Sequence, residues 1–93
     1  MFDRMLSRIR EKIRSRQYLM TYHARREMNY DDLTVYDVER AILTGKILER
    51  QKDETTNEWK YRITGKTVAG GKVEVVAKIS PTDKLVIITV YSV

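Results

Sequence analysis

Apolar residues recur at helical spacing through the first half of the chain and at strand spacing through the second. Phe2, Met5, Leu6, Ile9 and Ile13 fall three or four apart, with Arg4, Arg8, Arg10, Lys12 and Arg14 around them. This predicts a basic amphipathic helix from Asp3 to about Gln17. Thr21 reads as an N-cap for a short helix from Tyr22 to about Asn29. On it, Ala24 and Met28 share one face, and His23, Glu27 and Tyr30 share another. Thr34, with Asp37 three residues on, reads as a capping box. It opens a third helix, Val35 to Thr44, with Val35, Val38, Ala41 and Ile42 inward and Gly45 as its stop.

From Lys46 the period is two. Lys46 to Gln51 reads as a strand and Asp53 to Glu58 as a polar loop. Trp59, Tyr61 and Ile63 alternate with Lys60, Arg62 and Thr64, which gives one buried and one cationic face. Ala69-Gly70-Gly71 is a turn. Val73, Val75, Ala77 and Ile79 form the apolar side of the next strand, opposite Glu74, Val76 and Lys78. Ser80-Pro81-Thr82-Asp83 is a further turn, with proline at its second position. Leu85 to Tyr91 is nearly all apolar and β-branched, as suits a central strand covered on both faces. Helices followed by four hairpin-linked strands predict a single α+β domain over residues 1–93. Its N-terminal helices pack on a four-stranded, mostly antiparallel sheet.

Ninety-three residues bury one modest core. The chain has no cysteine and one histidine, so thiolate metal sites and disulfides are excluded and no metal or cofactor is expected. No apolar run reaches the length of a membrane span, and the expected location is the cytoplasm. The net charge is +5. Residues 1–28 carry eight Lys/Arg and three Asp/Glu, a balance of +5, while residues 29–93 carry ten of each. An excess confined to the N-terminal third fits an anionic partner, nucleic acid or an acidic protein surface. Plain solubility explains it equally well.

The segment Thr21 to Met28 concentrates the chemistry. His23 is the only side chain whose ordinary pKa lies near neutrality, and on a helix it faces Glu27 one turn later. Metal-independent RNA cleavage needs a base for the 2′-hydroxyl, an acid for the departing oxygen and cations for the phosphorane charge. His23 with Glu27 can move protons, or His23 is a helix-end histidine bonded to backbone. Arg25 or Arg26, Arg62 and Lys78 can supply charge. Lys78 interrupts an otherwise apolar strand, so it must reach solvent, be paired or face an anion. Tyr91 can stack on a base or bond a phosphate, or it is an aromatic at the core edge. Trp59 and Tyr61 read as packing residues. Asp31, Asp32, Asp37 and Glu39 are numerous enough for Mg²⁺, but Asp37 is better explained as a helix cap.

Several fragments occur together in a fixed order: His23-Ala24-x-x-Glu27-Met28, Leu33-Thr34-x-x-Asp37-Val38, Ala41-Ile42-Leu43-x-Gly45-Lys46-Ile47, Tyr61-Arg62-Ile63-x-Gly65, Val75-Val76-Ala77-Lys78 and Leu85 to Tyr91. Over roughly Tyr18 to Tyr91 this pattern resembles a bacterial family of small uncharacterised domains. That family is similar to the RelE-like toxins, MqsR-like and BrnT-like members in particular. The resemblance implies helices on one side of a sheet and cleavage of free or ribosome-bound mRNA without metal. It also implies a cognate antitoxin, often of zinc-finger type. Its marked positions fall on His23, Glu27, Arg62, Lys78 and Tyr91, the candidate catalytic set. Apart from the resemblance, the cations Arg25, Arg26 and Lys60 are candidate RNA contacts. RelE-like folds also serve toxins that are not nucleases. A non-catalytic module binding RNA or an antitoxin is therefore the second expectation. The basic helix at residues 1–17 lies outside the resemblance.

Overall fold

The computed structural model describes residues 1–93. Its elements are α1 (Asp3–Arg14), β1 (Tyr18–Met20), α2 (Tyr22–Tyr30), α3 (Val35–Thr44), β2 (Lys46–Lys52), β3 (Trp59–Lys66), β4 (Lys72–Ile79) and β5 (Leu85–Ser92). The class is α+β, as the periodicity predicts. The sheet, however, has five strands rather than four, in the order β1-β5-β4-β3-β2. The extra strand is β1, which pairs in parallel with β5 through Tyr18–Leu85, Leu19–Val86 and Met20–Ile87. Three residues between two helices are too few to display an alternation. Only the distant partner makes them a strand.

Local chemistry sets the helix ends. The α1 helix stops at Arg14, short of the expected Gln17, because Arg16 turns left-handed (φ 58°). The Ser15 and Gln17 amides then close on the Glu11 and Lys12 carbonyls. The Thr21 hydroxyl accepts from the Ala24 amide, as its cap role requires. At α3 the capping box forms in both directions: the Asp37 N–H donates to Thr34 Oγ1 (3.2 Å) and the Thr34 N–H to Asp37 Oδ2 (2.9 Å). The Thr34 N–H and, next, the Val68 N–H, which donates to Asp37 Oδ1 at 3.0 Å, hold the Asp37 carboxyl below the usual range.

All three helices cover one face of the sheet. Ile9, Ile13, Ala24, Met28, Val38, Ala41 and Ile42 meet a strand layer that includes the directly opposed row Ile47, Ile63, Val75 and Val90. Val35, expected inward, is exposed at the start of α3. The α3 helix seats closely because Gly45 and Gly65 carry no side chain. A Cβ on Gly65 would lie 2.1 Å from the Ala41 carbonyl oxygen.

Much of the cationic face of α1 is used inside the molecule. Arg8 and Lys12 pair with Asp83 at 2.7 and 2.8 Å. Their hydrogen bonds, Lys12 first, hold the Asp83 carboxyl below its usual range. The Arg10 guanidinium donates to the Ile42 and Gly45 carbonyls and so caps the end of α3. The helix that looks like a phosphate-binding face thus spends three cations on tying itself down. No helix is long and apolar enough to cross a membrane.

Candidate functional site

No helix covers the second face of the sheet. Directly opposed residues in an antiparallel ladder share a face, so the register assigns its side chains in rows. One row is Lys46, Thr64, Glu74 and Tyr91. The next is Glu49, Arg62, Val76 and Thr89, and beyond Thr64 and Glu74 lies the pair Lys66 and Lys72. Lys60 and Lys78 flank the inward pair Tyr61–Ala77 and complete the face, with Val86 and Leu19 beside Lys78. β5 is central, as expected, but covered on one side only: Leu85, Ile87 and Val90 are buried, whereas Val86, Thr89 and Tyr91 are half-exposed. Six cations therefore share this face with two strand carboxylates, Glu49 and Glu74.

Three of these side chains form a hub. Glu74 Oε1 accepts from the Tyr91 hydroxyl at 2.6 Å and from Arg62 Nη1 at 2.7 Å. Arg62 Nε also donates to Glu49 Oε1 at 3.1 Å. The Tyr91 and Arg62 bonds, in that order, hold the buried Glu74 carboxyl below its usual range. The same carboxylate raises Tyr91 above the ordinary phenol value. Glu74 and Glu49 keep Arg62 charged throughout. Near neutral pH the hub thus holds a carboxylate, a protonated phenol and a guanidinium.

His23 and Glu27 lie elsewhere, on α2, which runs along the edge of β5 beyond the short β1. Val90 N–H donates to Glu27 Oε1 at 3.0 Å, and Ser92 N–H donates to Asp31 Oδ2 at 2.9 Å. The spacing explains the fit. Four helical residues rise about 6 Å, and two strand residues advance about 6.6 Å. Two carboxylates one turn apart therefore meet successive outward amides of a strand. The Thr21 hydroxyl, donating to the Ile88 carbonyl, continues the seam. Glu27 is thus a structural acceptor for the sheet edge. His23 stands beside it at 3.2 Å with its side chain 67% exposed. Replacing Glu27 with alanine strands the amide of the buried Val90 and is expected to cost about 1–3 kcal/mol in a urea melt. His23→Ala should stay within about 0.5 kcal/mol of wild type.

The five residues marked by the resemblance consequently fall into three groups: His23 with Glu27, Arg62 with Tyr91, and Lys78. Lys78 is paired, donating to Glu58 Oε1 at 3.0 Å with its side chain 18% exposed. Lys60 lies on the open face near it. Arg26 rests over the Tyr22 ring at 5.8 Å. Arg25 lines a cleft of about 600 Å³ beside β1. Tyr61 packs as expected, edge-on to Phe2, but Trp59 is 40% exposed and carries Arg50 and Lys52 over its ring at 4.1 and 5.4 Å. The acidic residues Asp31, Asp37 and Glu39 are each engaged, Glu39 by the Tyr18 hydroxyl. No three carboxylate or imidazole groups converge as metal ligands.

A family model described as a domain of unknown function, DUF4258, matches residues 20–92. The chain belongs to the DUF4258 family. No curated protein and no solved structure matches it. The DUF4258 span takes in the hub, α2 with its seam, and the whole antiparallel part of the sheet. It leaves α1 outside, although Ile9 and Ile13 of α1 belong to the same core. Within that span, Glu74, Glu49 and Glu58 are the residues that sequence reasoning missed. Glu74 carried the same signal as Lys78, a charge set among Val73, Val75 and Val76 in an apolar strand.

Proposed function

We propose that this DUF4258 protein is an RNA-cleaving toxin of the RelE-like kind, acting on mRNA laid across the open sheet face. The hub of Arg62, Glu74 and Tyr91 on that cationic face carries the reading. Arg62 is placed to hold a phosphodiester. Glu74, ionised at neutral pH, accepts the proton of the 2′-hydroxyl as that oxygen attacks phosphorus. Tyr91, kept protonated, gives its proton to the departing 5′-oxygen. The products are a 2′,3′-cyclic phosphate and a 5′-hydroxyl end. General acid–base help of this kind contributes roughly 10²–10⁴-fold. Lys60 and Lys78 flank the path of the strand. An antitoxin, of zinc-finger type by resemblance, neutralises the toxin by covering these cations, and both partners meet in the cytoplasm.

The deciding experiment incubates the purified protein with mixed mRNA in EDTA and maps new 5′ ends by sequencing. Reproducible cuts are expected. Their rate should show no inflection between pH 6 and 8, because neither Glu74 nor Tyr91 titrates there. Cuts abolished by His23→Ala but retained in Glu74→Gln would move the chemistry to α2.

A second reading rests on the saturation of the hub: both carboxylates beside Arg62 already hold it. On that basis the face binds RNA or an antitoxin without cutting. RNA left intact, with affinity falling steeply between low and high salt as counterions are released, would favour it.

A further inference from the structure

The open face carries a second set of cations that the cleavage reading does not use. Lys46, Lys66 and Lys72, together with Thr44, Gly45, Thr64 and Gly65, line a cavity of about 610 Å³. Lys66 and Lys72 lie directly opposite one another across the β3–β4 ladder. Like charges in that position destabilise a sheet. None of the three lysines has a carboxylate partner. Glu74, two residues along from Lys72, is already taken by Arg62 and Tyr91. The Thr64 hydroxyl is the only buried side-chain polar atom in the molecule without a hydrogen-bond partner. A helix C-terminus would ordinarily repel an anion. Here Arg10 covers the Ile42 and Gly45 carbonyls and adds its own positive charge.

We propose that this cavity is a phosphate-binding site. The three ammonium groups bind phosphate oxygens, and the Thr64 hydroxyl supplies a neutral donor. The missing counter-charge for the Lys66–Lys72 pair is then the ligand itself. The phosphate comes either from a free nucleotide polyphosphate or from the backbone of a nucleic acid. The site does not depend on the cleavage reading.

Two NMR titrations of the full chain at constant ionic strength test it. One uses inorganic pyrophosphate, and the other a short single-stranded RNA without terminal phosphates. Pyrophosphate is expected to shift the Lys46, Thr64, Lys66 and Lys72 amides saturably. A Lys66→Gln/Lys72→Gln variant should bind it at least about 10-fold more weakly. Without ligand, that variant should melt no lower than wild type, since it removes a repulsion, so weaker binding cannot be put down to unfolding. If RNA shifts the same amides and competes with pyrophosphate, the source is a nucleic-acid backbone. If only pyrophosphate shifts them, it is a free polyphosphate. Non-saturating shifts spread over the surface, or unchanged affinity in the variant, would overturn the proposal. Glu74→Gln, which removes the base of the cleavage reading, should leave pyrophosphate binding intact, so either idea can fail alone.

Discussion

A Gly65→Ala variant is expected to lose about 3 kcal/mol or more of stability, a fall in Tm of roughly 12 °C or more for a domain of this size. The added Cβ would lie 2.1 Å from the Ala41 oxygen and 2.7 Å from both its carbonyl carbon and its Cα. These are backbone atoms of α3, so no rotamer change relieves the clash. The helix must lift from β3, opening the layer that buries Val38, Ala41 and Ile42. Gly45 faces the same limit, 2.0 Å from the Thr64 carbonyl oxygen. Neither glycine has positive φ, so the requirement is for space rather than for an unusual backbone. Gly71→Ala is the control: its nearest neighbour is Thr67 Oγ1 at 3.4 Å, and a change within about 0.5 kcal/mol is expected. Thermal and urea melts of the three proteins decide the matter. A Gly65→Ala Tm within about 4 °C of wild type would mean that α3 does not seat on β3 as described.

Glu74→Gln is expected to reduce cleavage about 10²–10⁴-fold while leaving the protein folded. Glutamine retains an acceptor for Arg62 and Tyr91 but cannot take up the 2′-hydroxyl proton. A second readout is independent of any RNA. The folded pKa of Glu74 lies below its ordinary value of 4.5. Its contribution to stability is therefore complete above about pH 4.5 and lost as the pH falls through the depressed value. The variant lacks that carboxyl, so its stability should fall less steeply in acid. Tyr91 has the opposite sign. Its raised pKa keeps its contribution complete below about pH 10 and loses it as the pH rises further. Wild-type cleavage by Glu74→Gln, together with loss in His23→Ala, would place the active centre on the β5 seam.

Features set by short stretches of chain were legible without a structure. Three helices follow from apolar spacing, and both threonine caps from their neighbours, because a cap is local chemistry. The hairpins announce themselves through turn residues. What escaped was decided by register. Summing charge along the chain placed the whole excess in residues 1–28. The fold instead neutralises part of that excess internally and gathers six cations from the electrically balanced remainder onto one sheet face. Lys78 was visible as an anomaly, but its partner Glu58 lies 20 residues away in a polar loop. The bulge between Ile47 and Glu49 was equally hidden. It turns Arg50 and Lys52 to the side of Trp59, which explains why that ring is stacked with cations rather than buried. Glu27 shows the converse: its spacing from His23 suggested chemistry, and the backbone of β5 claims it.

The parallel pairing of β1 with β5 also governs timing. β5 lies between β1 and β4, so the first strand of the chain has nowhere to dock until the last has been synthesised. The α2 carboxylates wait for the same strand, and so does the Glu74–Tyr91 bond. A nascent chain halted before residue 85 can pair β2, β3 and β4, but β1 has no neighbour to join and the hub lacks Tyr91. Since contacts between remote parts of a chain are slow to form, this protein matures only after the ribosome has passed β5. If it cleaves messenger RNA, each molecule acquires its hub only when its own last strand has emerged.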